Sequence, residues 1–424
     1  MTDLPTGWAE AHLPDVANNL DSRRVPVNRT ERAKRLGTVP YYGATGQVGW
    51  IDEALFDEEL VLVGEDGAPF LDRDKQKAYV ISGPSWVNNH AHVLRALADV
   101  TSNRYLKYLF DWTDYRPHVN GTTRLKLTKS ALNQISVPLP PLNEQRRIVA
   151  TIEEHLSRLD AAGGSLVTGA TRLNGFRVQI RDEALTDGWP SVRIGDVGDG
   201  SRHALAIGPF GSNLKVVDYR SEGVPLVFVR NIRSGDFSSE LTKFVSHEKA
   251  AELSAHIVRP TDVLVTKMGE PPGDAAVYPS GLADAVITAD CIKLSTSPDF
   301  DPRFVAHAIN SSAAKRQIAS ITKGVAQKKV SLARFKTVEI PAPSLEEQQR
   351  IVQEVEERLS AIDALRSAIE RAQRRSAALR RAVLERAFRG ELVPQDPSDE
   401  PAETLLARIR ADSEDNKPVT RRGK

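Results

Sequence analysis

The chain has 424 residues, 40% apolar and 27% charged, with a formal charge of +1. Those proportions fit two or three globular domains and exclude a disordered chain or one coated in basic residues. No run of about 18 apolar residues occurs, so no membrane span is expected; the first residues lack a signal peptide's basic start and apolar core, and the single cysteine, Cys291, excludes intramolecular disulfides and thiolate clusters and predicts a reducing, cytoplasmic setting.

The first block, residues 1–141, carries strand-like runs at Glu59 to Val63 and Ala78 to Ile81. Turn chemistry separates them at Gly64-Glu-Asp-Gly67 and Ser82-Gly-Pro84. Short helices are expected at Ala91 to Leu97 and at Tyr105 to Trp112. Between Arg23 and Arg35, six basic residues (Arg23, Arg24, Arg29, Arg32, Lys34, Arg35) face one acid, Glu31. Such a patch is the electrostatic footprint of phosphate binding. Gly43-Ala-Thr-Gly46-Gln-Val-Gly49 has the wrong spacing for a dinucleotide loop and reads as a turn. His90 and His92 lie two apart with no convincing third metal ligand, so no metal site is expected.

Residues 142–187 then read as one long helix, followed by a second block at 188–344. Its strands are expected at Val224 to Val229 and Asp262 to Thr266, and its helices at Pro302 to Asn310 and Ala313 to Ile321. Lys315, Arg316, Lys323, Lys328, Lys329, Arg334 and Lys336 form a second basic run with no acid between them. A second long helix, residues 345–389, starts at Ser344 with the capping-box spacing to Glu347. A loop-like tail, 390–424, holds a short helix around Thr404 to Ile409, and residues 416–424 read as frayed.

The two long helices are copies at an offset of 203 residues. Glu144-Gln145 matches Glu347-Gln348, and Arg147-Ile148-Val149 matches Arg350-Ile351-Val352. The gap-free match starts at Gly121 and Gly324. A second match, at offset 181, aligns Gly7-Trp8 with Gly188-Trp189. The chain is a duplication: block, long helix, block, long helix. Seam positions recur every three or four residues, close to a coiled-coil repeat. In the first helix they are Val149, Ile152, Leu156, Leu159, Leu166, Leu173, Phe176 and Ile180. In the second they are Val352, Val355, Leu359, Ile362, Leu365, Ile369, Leu379 and Val383. The expected fold is α+β, with two mixed domains separated by an antiparallel pair of long helices and related by pseudo-two-fold symmetry. A helix of about 44 residues is roughly 66 Å long. Gly163, Gly164, Gly169 and Gly175 weaken the first helix by about 1 kcal/mol each. It should depend on its partner or break near Gly163-Gly164.

No catalytic motif holds. A phosphate loop and a nucleophile elbow are missing. Glu270-Pro-Pro-Gly273 lacks the acceptor side chain and aromatic platform of a DNA amino-methyltransferase. What remains is a duplicated binding module. Its candidate DNA contacts are Tyr41, Tyr42 and Thr45, then Arg124 and Lys126, Asn213, the group Arg230, Asn231 and Arg233, Lys267, and finally Gln327, Lys328 and Lys329. Guanidinium and amide side chains read guanine and adenine edges. The symmetric placement of the pairs ahead of each long helix favours phosphate positioning.

These residues resemble the specificity subunit of type I restriction–modification systems. The resemblance rests on Val39-Pro-Tyr-Tyr-Gly-Ala-Thr-Gly46, Trp86-Val-Asn-Asn-His90, Gly208-Pro-Phe-Gly-Ser212, Val224-Pro-Leu-Val-Phe-Val-Arg-Asn-Ile232 and Asp262-Val-Leu-Val-Thr-Lys-Met-Gly269. Both Leu-x-Glu-Gln-x-Arg-Ile-Val helix starts and Phe388-Arg-Gly-Glu-Leu-Val-Pro-Gln-Asp396 extend it over nearly the whole chain. It implies two target-recognition domains, each reading half of a split, asymmetric double-stranded DNA site. It implies no cofactor and no catalysis in this chain, with methylation by methyltransferase subunits, two of them, and cleavage by restriction/translocase subunits. Two other classes stay open on the residues alone: a stand-alone nuclease or methyltransferase, and a coiled-coil scaffold that binds only protein.

Overall fold

Each repeat opens with a Gly-Trp pair and closes, just before its long helix, with a Pro-rich strand. Those two ends clasp each other in both copies. In the computed structural model, which describes residues 4–186, 188–233, 235–323 and 328–415 (side chains of 412–415 left out), Ala9–His12 pairs antiparallel with Ser136–Leu139. Ser191–Arg193 pairs with Glu339–Pro341 in the same way. Gln327, the match point at Gly324 and the tail from 416 lie outside the described residues.

The chain divides into two units, residues 1–166 with 371–424 and residues 167–370. Within the first, one four-stranded antiparallel sheet has the order Ala17–Asn19, Ala91–Ala96, Leu60–Gly64, Ala78–Ile81. A second runs Gly46–Ile51, Val39–Gly43, Pro84–Val87, Phe56–Asp57, with its middle pair parallel. The second unit repeats both. Leu205–Ile207, Cys291–Leu294, Val263–Thr266 and Ala275–Val277 form the antiparallel sheet. Phe244–Val245, Val224–Val227, Ala285–Ile287 and Ile257–Val258 form the other, again with a parallel middle pair. One helix backs the antiparallel sheet in each unit, Asn103–Trp112 and Pro302–Ile309. The duplication therefore runs through the blocks, where the two sequences share little.

Ala91–Ala96 is a central strand, not the helix its sequence suggests. Its first four residues are all buried between two neighbours, so both faces are apolar and alternation vanishes. A run that short cannot tell a buried strand from a helix by periodicity. At Val224 the strand ends at Val227, and Val229–Asn231 forms a 3-10 turn. The tail helix is longer than expected, Ala402–Asp415.

Leu142–Ala184 is one uninterrupted helix, so Gly163-Gly164 does not break it. Leu345–Phe388 is the other. In the first unit Ile148, Val149, Ile152 and Leu156 share a core with Leu384, Ala387 and Phe388. In the second, Ile180 shares one with Ile351, Val352, Val355 and Leu359. The start of each helix thus packs on the end of the other, an antiparallel pairing. The same ion pair appears in both copies, Arg380 with Asp160 and Arg177 with Asp363. Tail residues Ala402 and Leu406 join the first unit's core, and Ala402 N–H donates to Gly7 O at 2.9 Å.

Gln145 and Gln348 explain the repeated Glu-Gln. Gln145 donates to Val100 O (2.9 Å) and Pro140 O (3.0 Å) and accepts from Thr101 Oγ1. Gln348 donates to Asp299 O and Pro343 O, both at 3.0 Å, and accepts from Asp301 N–H. Each buried amide fastens its helix start to its own block with every bond made inside. At the second start Ser344 Oγ accepts from Glu347 N–H at 3.3 Å, while the Glu347 carboxylate turns to Arg350, so half the capping box forms.

The seam differs from a fully buried one. Val149, Ile152, Leu156, Ile180, Val352, Val355 and Leu359 are buried. Leu159, Leu166, Leu173, Ile362, Ile369 and Val383 are half-buried. Phe176, Leu365 and Leu379 are 49%, 54% and 45% exposed, a correction to their place in the helix-pair interface. Two helices alone cover one side of each other; burial is complete only where a block packs on the pair as a third layer.

Candidate nucleic-acid interface

The first candidate turn is the hairpin between Val39–Gly43 and Gly46–Ile51, with Thr45 exposed at its tip. Tyr41 is buried: its ring lies under the Arg32 guanidinium, 4.6 Å from the ring centre, and its hydroxyl donates to Val27 O at 3.3 Å. Tyr42 is half-buried against Tyr79. The exposed groups of the hairpin are instead Gln47, Val48 and Trp50, with Trp50 55% exposed. Sequence reading missed Trp50; its signal was an aromatic in phase with the outward positions of a short hairpin.

The basic run ahead of this hairpin is largely spent inside the unit. Arg23 pairs with Glu58, Arg24 with Glu65 (2.7 Å) and Asp21 (3.4 Å), and Arg35 with Asp52 and Glu53. Among the described residues Arg29 and Lys34 make no ion pair.

Arg124 and Lys126 come together over the turn at Glu65-Asp66. Arg124 reaches Asp66 at 2.6 Å, Lys126 reaches Glu65 at 3.1 Å, and His90 Nδ1 meets Asp66 at 2.7 Å. The backbone bonds are Glu65 N–H to His90 O, Leu127 N–H to Glu65 O, and a bridge between Asp66 and Lys126. The second unit repeats that backbone. Lys267 N–H donates to Asp290 O, Val330 N–H to Lys267 O, and Met268 bridges to Lys329. Lys267 and Lys329 therefore stand at the places of Glu65 and Lys126, with Lys328 at the place of Leu125. Lys267 Nζ donates to Ala289 O at 3.0 Å, and Lys328 pairs with Glu270 at 3.2 Å. Equivalent positions carry an acid in one block and a lysine in the other, on one shared backbone frame.

Asp21, Glu65 and His92 bring possible ligand atoms within 4.8 Å of one another. Their atoms are engaged already: His92 Nδ1 meets Asp21 at 2.6 Å, His92 Nε2 meets Leu127 O at 2.9 Å, and Arg24 and Lys126 hold Glu65. Two cations on the carboxylates fit an ion-pair network rather than a cation site. Burial, the largest influence, would raise the Asp21 carboxyl; the His92 hydrogen bond and charge, the Val93 N–H and Arg24 outweigh it and hold the carboxyl below its usual range.

Asn213 lies exposed in a turn with Phe210 (68% exposed), Val216 and Val217 (79% and 75%). Three large apolar side chains thus stand in water on one loop. Arg230 is exposed, its guanidinium 4.4 Å from the Phe228 ring centre and bonded to Thr242 Oγ1. Arg233 is exposed too. Asn231 is buried, accepting from Phe228 N–H and donating to Ser238 O and Glu240 O, so it shapes the turn that presents its neighbours. Tyr41 and Asn231 are thus corrected from contact residues to structural ones.

A two-block α+β chain with clasped repeats and paired long helices is the architecture of a duplicated recognition protein. Residues 5–162 and 232–378 match the model of the type I restriction modification DNA specificity domain, and the chain belongs to that family, whose part in the system is DNA recognition. It is 24% identical to the EcoBI specificity subunit of Escherichia coli, over 97% of this chain and 94% of that one. An open reading frame of Haemophilus influenzae named as a type I restriction enzyme specificity subunit is 35% identical over 141 residues; the chain spans 35% of that relative's length. Its fold matches a chain solved in work on complex assembly and conformational transition of the type I R-M system, with a TM-score of 0.70, 19% identity and 92% of this chain covered against 100% of that one. The HsdS subunit from Thermoanaerobacter tengcongensis superposes over 92% of this chain and 98% of its own with a TM-score of 0.50 and 19% identity.

Proposed function

We propose that this chain is the non-catalytic reader of a type I complex, acting in the cytoplasm and needing no cofactor of its own. Residues 1–141 and 188–344 are its two target-recognition domains, joined by spacer helices at 142–187 and 345–389. Each domain reads one half of a split, asymmetric site in double-stranded DNA. One observation carries this: the two domains present the same backbone frame with different chemistry, Glu65, Asp66 and His90 against Lys267, Met268 and Asp290. Readers so built favour unlike half-sites. Arg124, Lys126, Lys328 and Lys329 supply phosphate contacts, and Thr45, Trp50, Asn213, Arg230 and Arg233 stand where exposed donors and rings can meet bases.

Methyltransferase subunits dock on the helices, two copies because the docking surface is duplicated. Phe176 in the second unit and Leu379 in the first, exposed at equivalent positions of the two helices, support this reading. Restriction/translocase subunits join through the complex. The test uses the chain assembled with its methyltransferase subunit. Replacing Lys328 and Lys329 by alanine should weaken binding to every DNA sequence alike and lower the salt slope by about 2. An unchanged slope would contradict the phosphate role, and methyl transfer by the chain alone would contradict the division of labour.

A further inference from the structure

Lys77 is 3% exposed, and among the described residues its ammonium makes no hydrogen bond or ion pair. The opening left to it is a cavity of about 610 Å³ in the first unit. Asp111, the acid with the strongest pull on Lys77, is spent elsewhere: its Oδ1 accepts from the backbone N–H groups of Lys77 (2.7 Å) and Ala78 (3.2 Å), and its Oδ2 holds Lys107 at 3.0 Å. At the equivalent place in the second unit stands Asp274, paired with Lys315 at 2.6 Å. The equivalence follows from register, Val63 with Ala78 and Val265 with Ala275. That copy is satisfied from within; the first copy is left with a buried cation facing a cavity. Burial lowers the Lys77 ammonium below its usual range, the cost expected of a charge without a partner.

Five cationic side chains line the cavity against three carboxylates. Arg116, Arg381 and Arg389 are already held by Asp114, Asp74 and Glu385. Arg73, at the rim, makes no ion pair among the described residues. Two cations are therefore uncommitted, which matches the near-dianionic charge of a phosphate monoester at neutral pH, about −1.5 to −2. A carboxylate supplies one charge. The volume exceeds a lone phosphate and falls within the span of roughly 300–1,000 Å³ typical of small-ligand sites. Phe70, Leu71, Trp112 and Leu384 give the remaining wall an apolar surface, with Leu71 57% exposed.

We propose that this cavity binds a small phosphate monoester of mononucleotide size, its phosphate on Lys77 and Arg73 and its body against Leu71 and Trp112. The full chain is titrated with adenosine monophosphate, phenyl phosphate, inorganic phosphate and adenosine, followed by calorimetry and by the melting midpoint. At least one monoester should bind and raise the midpoint, more tightly than inorganic phosphate or adenosine. Lys77→Met should weaken binding about tenfold or more, as loss of a charge-assisted hydrogen bond does, and Arg73→Ala several-fold. Arg73→Ala decides the case on a well-exposed residue should the Lys77 variant fail to fold. Equal binding by wild type and variants overturns the proposal. So does no binding of any monoester at millimolar concentration, or occupation of the site only by an acidic peptide or duplex DNA.

Discussion

Burial, with the guanidinium groups of Arg181 and Arg303 beside it, pushes the His307 imidazole down to about 3. Its Nδ1 faces Arg181 Nε at 3.4 Å, and its buried Nε2 has no hydrogen-bond partner among the described residues. In the unfolded chain the ring titrates near its ordinary value of about 6.5, so below that pH the unfolded state takes up a proton the native state refuses. The stability this neutral ring contributes is full above pH ~6.5 and is lost as pH falls toward 3, at up to about 1.4 kcal/mol per unit. Thermal melts of the chain from pH 7 to pH 4 should show the second unit weakening steeply, and His307→Gln should flatten that slope; parallel slopes would contradict it. Little of this was legible in the sequence, because Arg181 lies 126 residues away and only the fold brings it to His307. The basic residues ahead of each long helix were legible, since the repeat put Lys126 and Lys329 in register with Arg124 and Lys328 close beside them. Their counter-charges, Asp66, Glu65, Glu270 and Asp290, were not.

The long helices were the clearest elements, since a period of three and four over more than forty residues has no competing reading. Their glycines misled in one respect. A methyl group added at Gly163, Gly164 or Gly175 would meet nothing within 4 Å, and at Gly169 it would touch Ile369 Cδ1 at an ordinary 3.5 Å. Partner helix and blocks hold the backbone helical despite the glycines, so the extra freedom these residues have in the unfolded chain is lost on folding and counts against stability. Gly163→Ala, Gly164→Ala and Gly175→Ala should each stabilise the chain by about 1 kcal/mol in denaturant unfolding; a loss of stability would mean that the helix needs a bend there. Short strands were less legible. Ala91–Ala96 is buried on both faces, and its neighbours come from residues about 30 and 75 positions earlier, at Leu60–Gly64 and Ala17–Asn19. Phe176, Leu365 and Leu379 kept the seam spacing while facing water, since spacing shows which face a residue shares and not whether anything covers it.

For the whole molecule, duplication is the organising fact. Two sheets recur with the same strand order and the same parallel middle pair, although the sequences between the shared block ends have diverged almost completely. A frame kept in common with contents that differ is what two independent readers require, and it makes each block exchangeable by itself. The most direct measurement replaces residues 17–120 with the corresponding block of another member of the family, assembles the chimaera with its methyltransferase, and maps modified adenines by single-molecule sequencing. The account predicts that one half of the recognised site changes while the other half and the gap between them stay as they were. A change in both halves would contradict it.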